Sequence, residues 1–248
     1  MREIEYDPVK QYRSLAPVHQ EQPYTTGDNP LREAGHHPVP QERETLLAVL
    51  RATESTMVEF PYLSYRFGHR GRRFGDSDGG WLVTMADLGA VLMEEQVEWL
   101  GSVCASRGLP RLLLARHLEL LAKELTLLAD IPREHCLLLQ QAGGRLRRMI
   151  DEKIPPSRRR QQRQVLSQSL GLAPDDYACY ELIELLASAL VDDDHGLEGA
   201  SHSLLSWFTD GRRFSPTWTR AVRTVRFDRG DVGPAGFSHG SAPYFQGK

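Results

Sequence analysis

Apolar positions in this chain recur at three- and four-residue spacing, and the clearest run lies in its middle. Met93, Val97, Leu100 and Cys104 follow one another at intervals of four, three and four, with Leu92, Trp99 and Val103 on the flanks. Glu94, Glu98 and Ser102 fall on the opposite side, so the segment predicts a helix with one apolar face. The pattern pauses at Arg107-Gly108-Leu109-Pro110 and resumes as Leu114, Leu118, Leu121, Leu125 and Leu128. Glycine suits a left-handed helix end and proline the first turn of the next helix. A connection this short predicts a central antiparallel helical hairpin.

The same period extends outward. Leu46, Val49, Leu50, Thr53 and Met57 mark a helix over 42–59 that Pro61 ends. Leu139, Gly143, Leu146 and Ile150 share one face of a helix that starts after Asp130-Ile131-Pro132. Shorter helices are expected over 157–170, 175–191, 197–208 and 217–225, and no strand ladder is visible. The fold class is therefore all-α, a multi-helix bundle. Between the first helix and the hairpin, Gly68, Gly71 and Gly75 read as breaks, leaving Tyr62 to Gly80 as a glycine-rich loop.

Proline and glycine set the domain limits. Residues 1–41 carry six prolines between Pro8 and Pro40 and few aliphatic side chains, so they read as an extended arm. Residues 42–154 form a helical lobe around the hairpin, and Pro155-Pro156 opens a second, acidic lobe over 155–226. Residues 227–248 read as an extended Gly/Pro-rich tail, whose Tyr244-Phe245-Gln246-Gly247 resembles part of a protease-cleavage tag.

Composition narrows the function classes. A net charge of −3 over 248 residues argues against a globally basic nucleic-acid binder. No run of eighteen uncharged apolar residues suggests a membrane span. The three cysteines, Cys104, Cys136 and Cys179, lack zinc or redox spacing, which fits reduced thiols in a cytoplasmic protein.

Four clusters are candidates for chemistry. Arg66, His69, Arg70, Arg72 and Arg73, threaded among Tyr62, Tyr65, Phe67 and Phe74, could grip an anionic ligand. His117 sits among leucines at a helix edge, an arrangement that can hold haem iron or a related tetrapyrrole. Asp194, Glu198 and His202 recur every four residues on one helical side and could hold a divalent metal. Arg158, Arg159, Arg160 and Arg163 stand against an acidic stretch from Asp175 to Asp210 that contains no lysine or arginine. Such blocks either neutralise each other within the fold or dock a charged partner. No phosphate loop, nucleophile elbow or HExxH motif is present.

These features point to a non-enzymatic helical interaction protein, an accessory or regulatory subunit whose partners are protein subunits, itself or another. The alternatives are a sensor or redox protein holding haem or metal near His117, and an enzyme acting on an anionic substrate at Arg66 to Arg73.

Overall fold

The structure, a computed structural model, describes residues 37–227. Among them nine helices follow one another: α1 (Arg43–Glu59), α2 (Pro61–Ala86), α3 (Ala90–Ser106), α4 (Arg111–Leu125), α5 (Arg133–Lys153), α6 (Pro156–Leu170), α7 (Tyr177–Asp194), α8 (Ala200–Phe208) and α9 (Pro216–Val222). No strand occurs among the described residues, and no helix there is long and apolar enough to cross a membrane. The all-α bundle is as the hydrophobic period predicts. Most of the expected N-terminal arm and C-terminal tail lies outside the described residues.

The organising element is α4, which is buried on nearly every side and packs against α1, α2, α3, α5 and α7. Its sequence explains this position, because Leu112 to Ala115, Leu118, Leu120 to Ala122 and Leu125 surround the axis with apolar side chains. A helix with so wide an apolar face belongs in the interior, and Arg116, Glu119 and Lys123 mark the narrow side that it leaves towards solvent. Its closest neighbours are α5 and α1 rather than α3. The connection between α3 and α4 is as short as expected, and Gly108 takes a positive φ of 81° there.

Two apolar clusters meet at α4. One is aliphatic and joins Ala48, Val49, Leu82, Met93, Val97, Leu118, Leu121, Leu139 and Leu146. The other joins Leu112 and Leu113 to Phe60, Tyr62, Leu182, Leu186, Leu204 and Phe208, with Trp207, Phe214 and Trp218 packed against it. Its rings interlock: Tyr62 stacks on Phe208 at 5.5 Å, and Trp207 meets Tyr62 edge-on at 5.0 Å.

Residues 62–80 depart from the sequence expectation. Instead of a glycine-rich loop they belong to α2, a single 26-residue element kinked at Gly68, where φ is 54° and ψ is −143°. That backbone region is open only to glycine. The later glycines serve close approach. A Cβ on Gly75 would lie 3.0 Å from Thr53 Cγ2, and one on Gly79 would lie 3.0 Å from Val49 Cγ1. Tight packing of α2 on α1 thus offsets the helical cost of glycine, roughly 1 kcal/mol each.

Candidate functional site

The arginines of α2 face in different directions and do not converge on a ligand. Arg66 donates from Nη1 to the Tyr62 hydroxyl at 2.6 Å and from Nη2 to Ser203 Oγ at 2.8 Å. Tyr62 in turn donates to the Gly108 carbonyl at 2.5 Å. This latch ties α2, α8 and the α3–α4 connection together, and burial pushes the Tyr62 phenol up to about 12. Arg72 is buried in an ion pair with Glu54. Arg70 lies 5.6 Å above the Phe74 ring, while His69 and Arg73 are exposed. The anionic-substrate loop expected at Arg66 to Arg73 is therefore a helix whose buried arginine is already partnered.

His117 is buried between α1 and α2. Its Nδ1 lies 3.2 Å from Thr56 Oγ1, and that hydroxyl donates to the Ala52 carbonyl at 2.8 Å. The hydroxyl proton being engaged, Nδ1–H is the donor in the histidine contact, so Nε2 carries the lone pair. Burial drives the imidazole down to about 4, which keeps it neutral. On the outer side of Nε2 stands the α2 backbone: a Cβ on Gly79 would be 2.8 Å away. Gly79 thus lets α2 pack close against Nε2, which has no hydrogen-bond partner among the described residues.

Asp194, Glu198 and His202 do not share a helical side. Asp194 ends α7, Glu198 sits in the connection between Gly196 (φ 87°) and Gly199 (φ 95°), and His202 lies in α8. Lys153 pairs with Asp194 at 2.9 Å, and His202 Nε2 is 3.4 Å from Ser206 Oγ. The helix breaks between them, and no group of three potential ligands forms among the described residues.

The arginine block of α6 is divided. Arg159 is buried, paired with Asp151 at 2.7 Å and with Glu184 at 2.9 Å. Arg163 lies 5.7 Å above the Tyr180 ring. Arg158 is half-buried and Arg160 exposed.

Spacing arguments missed a polar stripe on α7. Glu181, Ser188 and Asp192 are seven and four residues apart, so they share one face of a helix whose remaining buried positions are mostly apolar. Each accepts a backbone N–H from the start of another helix. Glu181 Oε1 takes the Tyr62 amide at 2.8 Å, Ser188 Oγ the Leu112 amide at 3.0 Å and Asp192 Oδ2 the Arg111 amide at 3.2 Å. The local N-cap positions of α2 and α4 are Phe60 and Pro110, which cannot cap with a side chain. The first amides of a helix need partners, and the positive end of its dipole favours carboxylates. So α7 caps both helices from a distance. The signal was present as two helix starts with no local cap and a polar triplet inside an apolar run.

Asp192 also pairs with the buried Arg111, Nε to Oδ1 at 3.1 Å, close enough for an ion pair though not aligned as a hydrogen bond. Burial raises the carboxyls of Asp192 and Glu181 to about 7; backbone amides from Arg111 and Tyr62 respectively oppose the shift. Asp76 and Asp78, inside α2, are likewise raised to about 7 by burial, with Thr53 and Arg72 opposing at the first and Arg107 at the second.

Several large apolar side chains are exposed among the described residues, and three of them lie at the end of α2 and along α3. Leu88, in the turn after α2, is 60 % exposed; on α3, Val91 is 75 % and Trp99 48 % exposed. Val91, Glu95 and Trp99 are four residues apart and line one stripe, opposite the buried Met93, Val97 and Leu100. Trp99 continues inward to Trp81 at 5.8 Å, and His37 contacts both rings, at 6.2 and 5.0 Å. Asp87, Glu94 and Glu95 rim the stripe with exposed carboxylates. Two of them are engaged, Asp87 with His135 and Glu94 with Arg145.

No known family model matches the chain, and neither the curated proteins nor the solved structures contain a significant match.

Proposed function

We propose that this chain is a non-enzymatic helical interaction protein, an accessory or regulatory subunit that binds a protein partner through the start of α3. The observation carrying this reading is the exposed stripe of Leu88, Val91 and Trp99 beside the Trp81–His37 pair. Exposed apolar side chains that continue into a buried aromatic anchor are what a partner can desolvate with profit, and tryptophan is the residue type most enriched at such anchors. The interior charges support the same reading. Arg72 with Glu54, Arg111 with Asp192 and Arg159 with Glu184 neutralise one another inside the bundle. They hold the frame that presents the stripe.

The test is recovery of a partner from the source, followed by titration of the two purified proteins. A double variant, Val91→Glu with Trp99→Ser, should weaken binding about tenfold or more, since both positions lie at the centre of the surface. Because Trp99 also packs on Trp81, the melting temperature should fall by a few degrees while unfolding stays cooperative. Equal affinity for parent and variant would refute the placement, and a chain that binds no partner at all would refute the function.

A further inference from the structure

Two stretches of the chain carry no carboxylate. Between Glu152 and Asp175, and again from Gly211 to Phe227, neither aspartate nor glutamate occurs. The first stretch holds α6 and the second α9, and these two helices pack on each other. Leu166 of α6 and Ala221 and Val222 of α9 turn inward to the same apolar cluster, so the outer faces stand side by side. The whole protein has a net charge of −3, yet across α6 and residues 211–227 every side chain ionised at neutral pH is an arginine.

The fold uses some of these arginines and presents the others. Arg159 is taken by Asp151 and Glu184, Arg213 pairs with Asp210, and Arg163 lies over Tyr180. Arg160, Arg212, Arg220 and Arg223 are exposed. Beside them Ser157, Gln161, Gln164 and Gln168 form one exposed stripe of α6 at helical spacing. Each can donate a hydrogen bond without adding charge. Guanidinium groups among neutral donors match phosphate oxygens, which arginine grips with paired hydrogen bonds. Val165 is the exposed large apolar side chain of α6, too little to anchor the face among lipid tails. Trp207, Phe214 and Trp218 are half-buried and packed on one another, so they offer no open ring for stacking unpaired bases. Paired strands, with their phosphates outermost, fit best.

We infer that the joint face of α6 and α9 binds the phosphate backbone of a nucleic-acid duplex, with Arg160, Arg212, Arg220 and Arg223 as the phosphate contacts. Contacts of this kind hold the duplex without reading its sequence. The surface is distinct from the α3 stripe, and its assignment does not depend on the function proposed above.

The probe is a fluorescein-labelled DNA duplex of about 20 base pairs and arbitrary sequence, titrated with the full chain and followed by anisotropy. Four phosphate contacts give a salt slope of about −3.6, so affinity should fall about 150-fold between about 50 and 200 mM salt. Arg220→Gln with Arg223→Gln should reduce that slope by about two, and Arg160→Gln on α6 by about one. Arg43→Gln with Arg133→Gln removes the same charge as the first pair from exposed positions on α1 and α5. It should leave both slope and affinity unchanged. Equal losses for the two pairs would overturn the face in favour of overall charge, and an unaltered slope for Arg160→Gln would remove α6 from it. Absence of binding at the lower salt would overturn the inference outright. Tighter binding to a single strand of the same length, or to phosphatidylserine vesicles, would overturn the duplex as its occupant.

Discussion

Helix starts in this molecule are held in two ways. At α7 and α9 the cap is local: Asp176 accepts from the Ala178 and Cys179 amides at 3.0 and 3.3 Å, and Ser215 from the Trp218 amide at 3.2 Å. At α2 and α4 it comes from α7, across 119 residues for Glu181 and Tyr62 and 81 for Asp192 and Arg111. Both solutions satisfy the same orphan amides. The local caps are exposed or half-buried and serve one helix each. The distant caps are buried and stand together on α7, so they fix the relative placement of α2, α4 and α7 as well as the helix ends. Local caps shape elements; distant caps shape the fold.

The contrast breaks most sharply on paired aspartates. Asp192→Ala leaves the buried Arg111 with only the half-buried Glu98, 3.6 Å from Nη1, as counter-ion and leaves the Arg111 amide uncapped; it should cost about 3 kcal/mol. Asp176→Ala removes an ordinary N-cap and should cost about 1 kcal/mol. Denaturant unfolding of the two variants checks the ratio, and near-equal losses would remove the distinction.

Neighbouring glycines offer a second comparison, smaller in size. Gly143 and Gly144 are adjacent in α5, so local propensity treats them alike. A Cβ on Gly143 would lie 2.7 Å from the Ala115 carbonyl and 3.2 Å from Leu118 Cβ, whereas one on Gly144 meets only Arg148 Nη1, at 3.5 Å. Gly143→Ala should destabilise by about 1–3 kcal/mol through overpacking. Gly144→Ala should stabilise by about 0.5–1 kcal/mol through helix propensity. Thermal melts decide, and a stabilising Gly143→Ala would mean that α4 and α5 do not approach as described.

A pH slope gives a third comparison. Glu181 has its carboxyl raised to about 7, above its ordinary value of 4.5. A folded-state value above the unfolded one gives stability that is full below the unfolded value and is lost as pH rises through the folded one. The wild-type chain should therefore lose this contribution between about pH 4.5 and 7. Glu181→Gln, neutral throughout, should gain stability relative to wild type across that window. A relative stability that is flat with pH, or that falls, would place the Glu181 carboxylate in a less buried setting.

How much of this could be read from sequence follows the same division. The faces of α3 and α5 were legible because Met93, Val97, Leu100, and Leu139, Gly143, Leu146, Ile150 repeat at the helical period and are buried as the period requires. The turn at Gly108 was legible because its backbone demand is local. The segment 62–80 was misread because glycine weakens a helix considered alone, whereas Gly75 and Gly79 let α2 approach α1 and His117. The acidic run of α7 read as a charge field, but Glu181 and Asp192 point inward, and which helix start each meets depends on the assembled bundle. The Asp194, Glu198, His202 spacing assumed one continuous helix, and the two glycine turns between α7 and α8 remove it. The stripe of Val91, Glu95 and Trp99 had a readable period. The stronger buried face of the same helix hid it.

Amide hydrogen exchange of the chain alone and bound to its recovered partner tests the central claim most directly. Binding should slow exchange across residues 84–100, around Leu88, Val91 and Trp99, and leave the amides of Tyr62, Arg111 and Leu112 slow in both states because α7 caps them. Slowing centred on Arg158 to Arg163, with none over α3, would contradict the account and move the partner surface to α6.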